Sequence, residues 1–197
     1  MCENKITKDE IRKVIRQKRD SLSKDDLVNK SRKIFEKLVA SEIYKIADNI
    51  LIYASMGSEV RTDEIIEDAL KQGKKVFCPK CVDTKKGLME FIKISDISQL
   101  IEGYYGIREP VLEENSVVYD NIDTTNNRSD DLMIMPLVAF DAQNNRIGYK
   151  GGYYDRYLEK NPHIKTCALA FSIQKSETTI PSEAHDIKPQ RIITEEV

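Results

Sequence analysis

The chain has no apolar run near the length of a membrane span, so a spanning helix is not expected. Its opening residues, Met1-Cys2-Glu3-Asn4-Lys5, lack the apolar stretch of a secretory leader, and a cytoplasmic protein is expected. Charge of one sign is also lacking. The net charge is −2, which argues against a broad nucleic-acid footprint, and no nucleic-acid partner is expected. Cysteine is sparse: Cys2, Cys78, Cys81 and Cys167. Cys78-Pro79-Lys80-Cys81 has the CxxC spacing, but no second pair completes a zinc site. A redox pair should open a helix, whereas this one follows the strand-like Lys75-Val76-Phe77. Four scattered free thiols fit a reducing compartment. There is no internal repeat, no Walker A loop and no GxGxxG turn.

What is present is a chain of 197 residues with 40% hydrophobic and 32% charged side chains, suited to one large soluble domain over residues 1–197. Thr7 and Glu10 form a capping box for a helix reaching about Leu22, with Ile11, Val14, Ile15 and Leu22 on one side. Lys8, Arg12, Arg16 and Arg19 make an adjacent cationic stripe, readable as a solvated face or as a cover for bound phosphates. Ser23 opens a second helix whose inner face is Leu27, Ser31, Ile34, Phe35 and Leu38. Thr62 caps a helix ending near Gln72, with Gly73 after it. Strands are expected at Ile50–Ala54, at Lys75–Cys78 (stopped by Pro79), at Leu88–Ile94, at Leu132–Phe140, at Thr166–Phe171 and at Ile192–Thr194. Tyr104–Pro110 reads as a loop and Leu112–Asp131 as a surface excursion.

Strands alternating with helices imply an α/β fold: a three-layer α/β/α open sheet, largely parallel and Rossmann-like. Ligands of such sheets bind beyond the carboxyl ends of the strands. The segments Met56–Arg61, Asp141–Tyr154 and Ser172–Gln174 all leave such ends. The densest stretch is Arg146-Ile147-Gly148-Tyr149-Lys150-Gly151-Gly152-Tyr153-Tyr154-Asp155-Arg156-Tyr157-Leu158, with three glycines, three cations, four tyrosines and one carboxylate. A Gly-rich turn opening into a helix offers free N–H groups and a positive dipole end to an anion. An ordinary tight turn with an aromatic helix start is the competing reading. Asp155 and Asp186 are candidate Mg²⁺ ligands, since Mg²⁺ takes one or two carboxylates with phosphate oxygens and water. Asp155 reads equally as an acid favoured at a helix start.

At these residues the chain resembles the 5-formyltetrahydrofolate cyclo-ligase (methenyltetrahydrofolate synthetase) family, whose signature is written RxGxGGGYYDRxL. Lys150 stands where that signature often has glycine. In order along the chain, Lys8-Asp9-Glu10-Ile11-Arg12, Gly57-Ser58-Glu59-Val60-Arg61-Thr62, Gly106-Ile107-Arg108-Glu109-Pro110, Met135–Asp141, Ala170–Gln174 and His185-Asp186 resemble the family's other segments, with Leu137 replacing a usual glycine. The resemblance implies a fold of the CoA-transferase and sugar-phosphate-isomerase type. It implies conversion of 5-formyltetrahydrofolate with ATP and Mg²⁺ to 5,10-methenyltetrahydrofolate. It places ATP against Lys8, Asp9, Glu10, Ile11 and Arg12, with Arg16 as a further phosphate contact. ATP would also lie against Arg146, Ile147, Gly148, Tyr149, Lys150, Gly151, Gly152, Tyr153 and Tyr154. It places folate against Met56, Glu59, Arg61 and Tyr153, with Tyr104 closing the pocket, and Mg²⁺ at Asp155 and Asp186. Lys150 and Arg146 would neutralise charge during catalysis. His185 would position its loop, and Tyr157 would belong to the core. A monomer is expected. Competing readings are a sugar-phosphate isomerase or acyl transferase that needs no ATP, and a nucleotide- or RNA-binding module using the Lys8–Arg19 helix.

Overall fold

The computed structural model describes residues 6–103, 106–119 and 131–196. In chain order the elements are α1 (Lys8–Asp20), α2 (Lys24–Ala40), α3 (Glu42–Lys45), β1 (Asn49–Ile52), α4 (Asp63–Lys71), β2 (Lys75–Asp83), β3 (Leu88–Ile94), β4 (Leu100–Glu102), β5 (Arg108–Pro110), β6 (Asp131–Pro136), β7 (Ala139–Phe140), β8 (Arg146–Ile147), α5 (Tyr153–Lys160), β9 (Lys165–Leu169) and β10 (Arg191–Ile193). The main sheet has the order β10-β9-β6-β1-β2-β3. All its pairings are parallel except β2 with β3. The expected open, largely parallel α/β sheet is therefore present. β1 lies between β2 and β6, so the chain moves to one side of β1 and later returns to the other. That places a topological switch at the carboxyl ends of β1 and β6.

The period-2 geometry of strands explains why the sheet is buried on both faces. Ile50, Ile52, Leu132 and Ile134 join Leu38, Ile65 and Ile66 on the face covered by α2 and α4. Leu51, Met133 and Met135 point the other way, onto Phe91, Tyr157 and Leu158 under α5. Tyr157 is thus a core residue, with its ring centroid 4.9 Å from that of Phe91.

Several elements depart from expectation, each for a local reason. β2 does not stop at Pro79. β1 pairs with it only through Phe77, so beyond that point the missing proline N–H breaks no ladder on that side. Cys78 and Cys81 then sit three apart on a strand, which directs them to opposite faces. Burial pushes the Cys78 thiol up to about 12, and Cys81 is also raised, first by burial and then by Glu109. Neither has the lowered pKa a redox pair needs. The expected long strand at Leu132–Phe140 divides at Pro136, and β7 leaves the main sheet to pair with β8. Val14 is exposed, while Arg19 takes a buried place on α1. The Thr62 hydroxyl does not cap α4. It accepts from Ser55 N (2.9 Å) and donates to Tyr53 O (2.9 Å), closing the loop between them. Arg108–Pro110 forms a strand with β4 rather than a loop. Val117 and Tyr119 bond to the edge of β3, so part of the supposed surface excursion is anchored. Cys2, Tyr104 and residues 120–130 lie outside the described residues.

Candidate active site

The β7–β8 hairpin carries the Gly-rich turn to the switch edge. Ala139 and Ile147 pack with Ile11, Ile15 and Ile180, which seats α1 across the hairpin. Asp141 holds the hairpin loop. Its carboxylate accepts from Gln143 N (2.8 Å), Asn145 N (2.9 Å), Asn145 Nδ2 (2.7 Å) and Ile180 N (2.8 Å). Gln174 holds the base of the hairpin by donating to Leu137 O and Val138 O, both at 3.0 Å.

After β8 the backbone takes positive φ at three successive residues: Lys150 (82°), Gly151 (86°) and Gly152 (60°). This run of positive φ opens directly into α5, whose free N-terminal N–H groups and dipole favour an anion. A Cβ on Gly151 would lie 2.7 Å from the Tyr153 ring, so glycine is required there by space as well as by φ. Lys150 is the exception to the glycine pattern and bears backbone strain. Lys150→Gly is accordingly expected to stabilise the fold by about 1 kcal/mol, read as a higher urea midpoint. An unchanged or lower midpoint would show that the lysine side chain offsets the strain.

Four cations were expected to line α1 together, and they separate instead. Lys8 Nζ lies 2.5 Å from Asp186 Oδ2 and 3.4 Å from Glu183 Oε2. Arg12 donates to Gly148 O (2.9 Å) and pairs with Asp9, which also meets Lys150 Nζ at 3.1 Å. Lys8 thus pairs with the Glu183–Asp186 segment, while Asp9, Arg12 and Lys150 are brought together at the turn. Arg16 is not: it is largely exposed, 3.6 Å from Asp20, because it lies further around the helix than Arg12. Glu10 is engaged by Thr7 in the capping box, and Ile11 is buried. Arg19, read with the others as a solvated face or a phosphate cover, is instead the buried member of the stripe, 3% exposed.

Arg146 and Asp155 form a clamp. Arg146 Nη2 is 2.6 Å from Asp155 Oδ1, Arg146 Nε donates to Ile187 O (3.1 Å), and Ile187 N donates to the same Asp155 oxygen (2.9 Å). Through Ile187 the clamp ties Asp155 to the segment that bears Asp186. Burial alone would raise the Asp186 carboxyl, but Lys8, Glu183 N and His185 together hold it below the usual carboxylate value. Glu183, His185 and Asp186 have ligand atoms within 4.8 Å of one another. Asp155 and Asp186, each with one oxygen engaged by protein donors, are carboxylates of the kind Mg²⁺ takes, and Glu183 adds a third beside Asp186. His185 is exposed and pairs with Glu183 at 3.3 Å, as a loop-positioning residue would.

On the other side of the turn lies the Met56–Arg61 loop. Glu59 is buried, and its Oε2 accepts from Met56 N at 2.8 Å. Burial raises its carboxyl despite hydrogen bonds from Tyr149 and Met56 and the charges of Arg19 and Arg61. Met56 and Arg61 are exposed beside it. Tyr153 is half-buried over Arg156, whose guanidinium carbon is 6.0 Å from the ring centroid; Tyr154 packs edge-on to Phe91. Arg156 also donates to Gly87 O (3.0 and 3.1 Å), tying the tip of the β2–β3 hairpin to the turn. Lys80 pairs with buried Glu109 (2.9 Å), and Arg108 pairs with Asp63 (2.5 Å). These two pairs fasten β5 over the same mouth. Sequence reasoning saw Arg108 and Glu109 only as part of a family segment; their alternation of charge was the available signal.

Residues 4–195 match the family profile described as the 5-formyltetrahydrofolate cyclo-ligase family. The chain belongs to that family. It is an enzyme of the cyclo-ligase class. The mouse 5-formyltetrahydrofolate cyclo-ligase is 30% identical over 194 residues, covering 94% of this chain and 92% of the relative. The Escherichia coli K12 enzyme of the same name is 27% identical, covering 92% and 96%. Among solved structures, a 5,10-methenyltetrahydrofolate synthetase from Aquifex aeolicus superposes with a TM-score of 0.78 at 28% identity, covering 98% of this chain and 91% of that one. One from Mycoplasma pneumoniae gives 0.74 at 25% identity, covering 97% and 100%. Membership explains why Lys150 is unusual, since a φ of 82° is one that glycine adopts freely. No helix among the described residues is long and apolar enough to cross a membrane.

Proposed function

We propose that this chain converts 5-formyltetrahydrofolate to 5,10-methenyltetrahydrofolate, using ATP and Mg²⁺ and releasing ADP and phosphate. What supports the reading is the positive-φ turn Lys150–Gly152 opening into α5, with Arg12 bonded to Gly148 beside it and Asp155 tied through Ile187 to the segment that bears Asp186, the partner of Lys8. It is reinforced by the family to which the chain belongs.

The formamide oxygen of the substrate is a poor leaving group. Its attack on the γ-phosphorus of ATP forms a P–O bond, breaks the bond to ADP and turns that oxygen into a phosphate ester. N10 then attacks the formyl carbon, loses its proton to solvent, and phosphate departs with the C–O electron pair. Such chemistry needs positioning and charge neutralisation more than a protein base. The turn's N–H groups, Lys8 and Arg12 bind the triphosphate. Lys150, exposed at the tip, is free to leave Asp9 for a phosphate oxygen. Arg146 is fixed in its clamp and acts by holding Asp155. Asp155 and Asp186 would hold Mg²⁺, which when bound would neutralise phosphate charge. Met56 and Tyr153 offer faces to the pterin, and Glu59 an acceptor for its N–H groups. The same reading has residues 1–197 working as one cytoplasmic, monomeric domain.

The test is direct: pure protein, 5-formyltetrahydrofolate, Mg²⁺ and ATP, with methenyl formation followed by its near-ultraviolet absorbance. Absence of product with ATP present would sink the proposal. For the nucleotide assignment, Lys8→Ala and Arg12→Ala should each raise the ATP KM about tenfold or more, as expected for one charge-assisted hydrogen bond. Initial rates against ATP concentration check this. A change in melting temperature alone would return the two cations to a solvated face.

A further inference from the structure

Arg19 lies in the last turn of α1, away from the phosphate rim, with its side chain 4% exposed. Packing does not require an arginine there, because Ile11 and Ile15 already supply the helix's apolar contact with the hairpin. A buried guanidinium is unfavourable unless its donors are met, and here they are met by the two loops that flank the site. Nε donates to Ser58 Oγ at 2.9 Å, on the loop that bears Glu59. Nη1 donates to the hydroxyl of Tyr149, on the Gly-rich turn, and the guanidinium carbon lies 5.5 Å from the Tyr149 ring centroid. Nη2 is 3.8 Å from Asp20 Oδ1, and Asp20 in turn accepts from the Ser58 hydroxyl. The Glu59 carboxylate lies close enough to the Tyr149 hydroxyl to push its pKa up, after burial. Tyr149 is 39% exposed as a residue, while its hydroxyl meets Arg19.

Resting on the reaction proposed above, we propose that Arg19 is a positioning residue for folate: through Ser58 and the Tyr149 hydroxyl it fixes Glu59 and joins the folate loop to the nucleotide turn. Glu59 has a single backbone donor of its own, Met56 N. Without Arg19 the Ser58–Glu59 loop loses its tie to α1 and to the Gly-rich turn, and the placing of Glu59 is no longer set. Loss of the network therefore falls on folate binding, while the triphosphate contacts at Lys8, Arg12 and the positive-φ run stay in place. Because Arg19 and Tyr149 act on Glu59 in series, removing either breaks the same link.

The experiment measures KM for each substrate, and the equilibrium Kd for 5-formyltetrahydrofolate by calorimetry, in Arg19→Met, Tyr149→Phe and the double variant. Arg19→Met keeps a long side chain, and Tyr149→Phe keeps the ring should the first variant fold poorly. In Arg19→Met we expect the folate KM and Kd to rise about tenfold with the ATP KM within about twofold of wild type, the loss of one charged hydrogen bond in the chain. Tyr149→Phe should show a similar folate rise. The double variant should be no worse than the weaker-binding single one, the signature of coupled residues. Arg19→Lys, which can reach one loop but not both, should restore only part of the affinity. Unchanged folate Kd in a folded Tyr149→Phe or Arg19→Met, equal rises for both substrates, or effects that multiply in the double variant would overturn the assignment. If the wild type binds folate without turning it over, the reaction fails while the role of Arg19 is still read from Kd.

Discussion

Asp155→Asn is expected to lose turnover by a hundredfold or more, about 3 kcal/mol of transition-state stabilisation, and to lose stability as well. Two functions meet on this side chain. As the proposed Mg²⁺ ligand beside the anion-binding turn, its charge is needed when phosphate charge builds up. As a clamp, its Oδ1 receives Arg146 Nη2 at 2.6 Å and Ile187 N at 2.9 Å. An amide oxygen can accept both of those contacts but does not carry the charge. Arg146, with its side chain only 6% exposed, is then left as a buried cation without a counter-ion. Breaking one partner of such a pair costs about 3 kcal/mol. Turnover at saturating substrates and urea unfolding, measured on the same preparation, separate the two roles. Wild-type turnover with lowered stability would leave Asp155 as a clamp only. Lowered turnover that recovers as Mg²⁺ is raised would locate the defect in metal affinity.

The sheet was legible because its strands are near-continuous apolar runs, such as Ile50-Leu51-Ile52 and Leu132–Met135, and because Gly73 and the Thr7–Glu10 box punctuate the helices. The loops proposed to carry the site could be read too, since they follow the carboxyl ends of those strands. Pairing in three dimensions was not. The apolar run into Phe140 carried no sign that Pro136 would divert β7 to another partner, because the diversion is fixed by Asp141 and Gln174 contacts far along the chain. The same limit applies to α1. Periodicity put Lys8, Arg12, Arg16 and Arg19 on one side, but only packing against Ser58 and Tyr149 decides that Arg19 is buried and Arg16 is not. Lys150 was legible as an oddity in the signature. Its physical meaning, a non-glycine residue at positive φ, required the backbone.

Asp141→Ala is the largest stability effect expected away from the site's charges. Asp141 is 3% exposed and its carboxylate takes four hydrogen bonds, three of them from backbone N–H groups of Gln143, Asn145 and Ile180. Alanine leaves those donors unmet in a buried loop, each lost bond being worth roughly 1 kcal/mol and more when the acceptor is charged. A loss of about 3–4 kcal/mol at neutral pH follows from that count. The pH dependence is fixed in sign. Burial would raise the carboxyl, but the Asn145 side chain and the backbone donors outweigh it and hold its pKa below the usual 3.8. The stabilisation is therefore complete above the unfolded value and disappears as pH falls through the lower folded one. Urea unfolding of wild type and Asp141→Ala should show a wide gap at pH 7 that narrows below about pH 3.8, because acid removes from the wild type what the substitution has already removed. A gap independent of pH would mean that the defect is lost packing, and that the charge of Asp141 does not hold the hairpin carrying the Gly-rich turn.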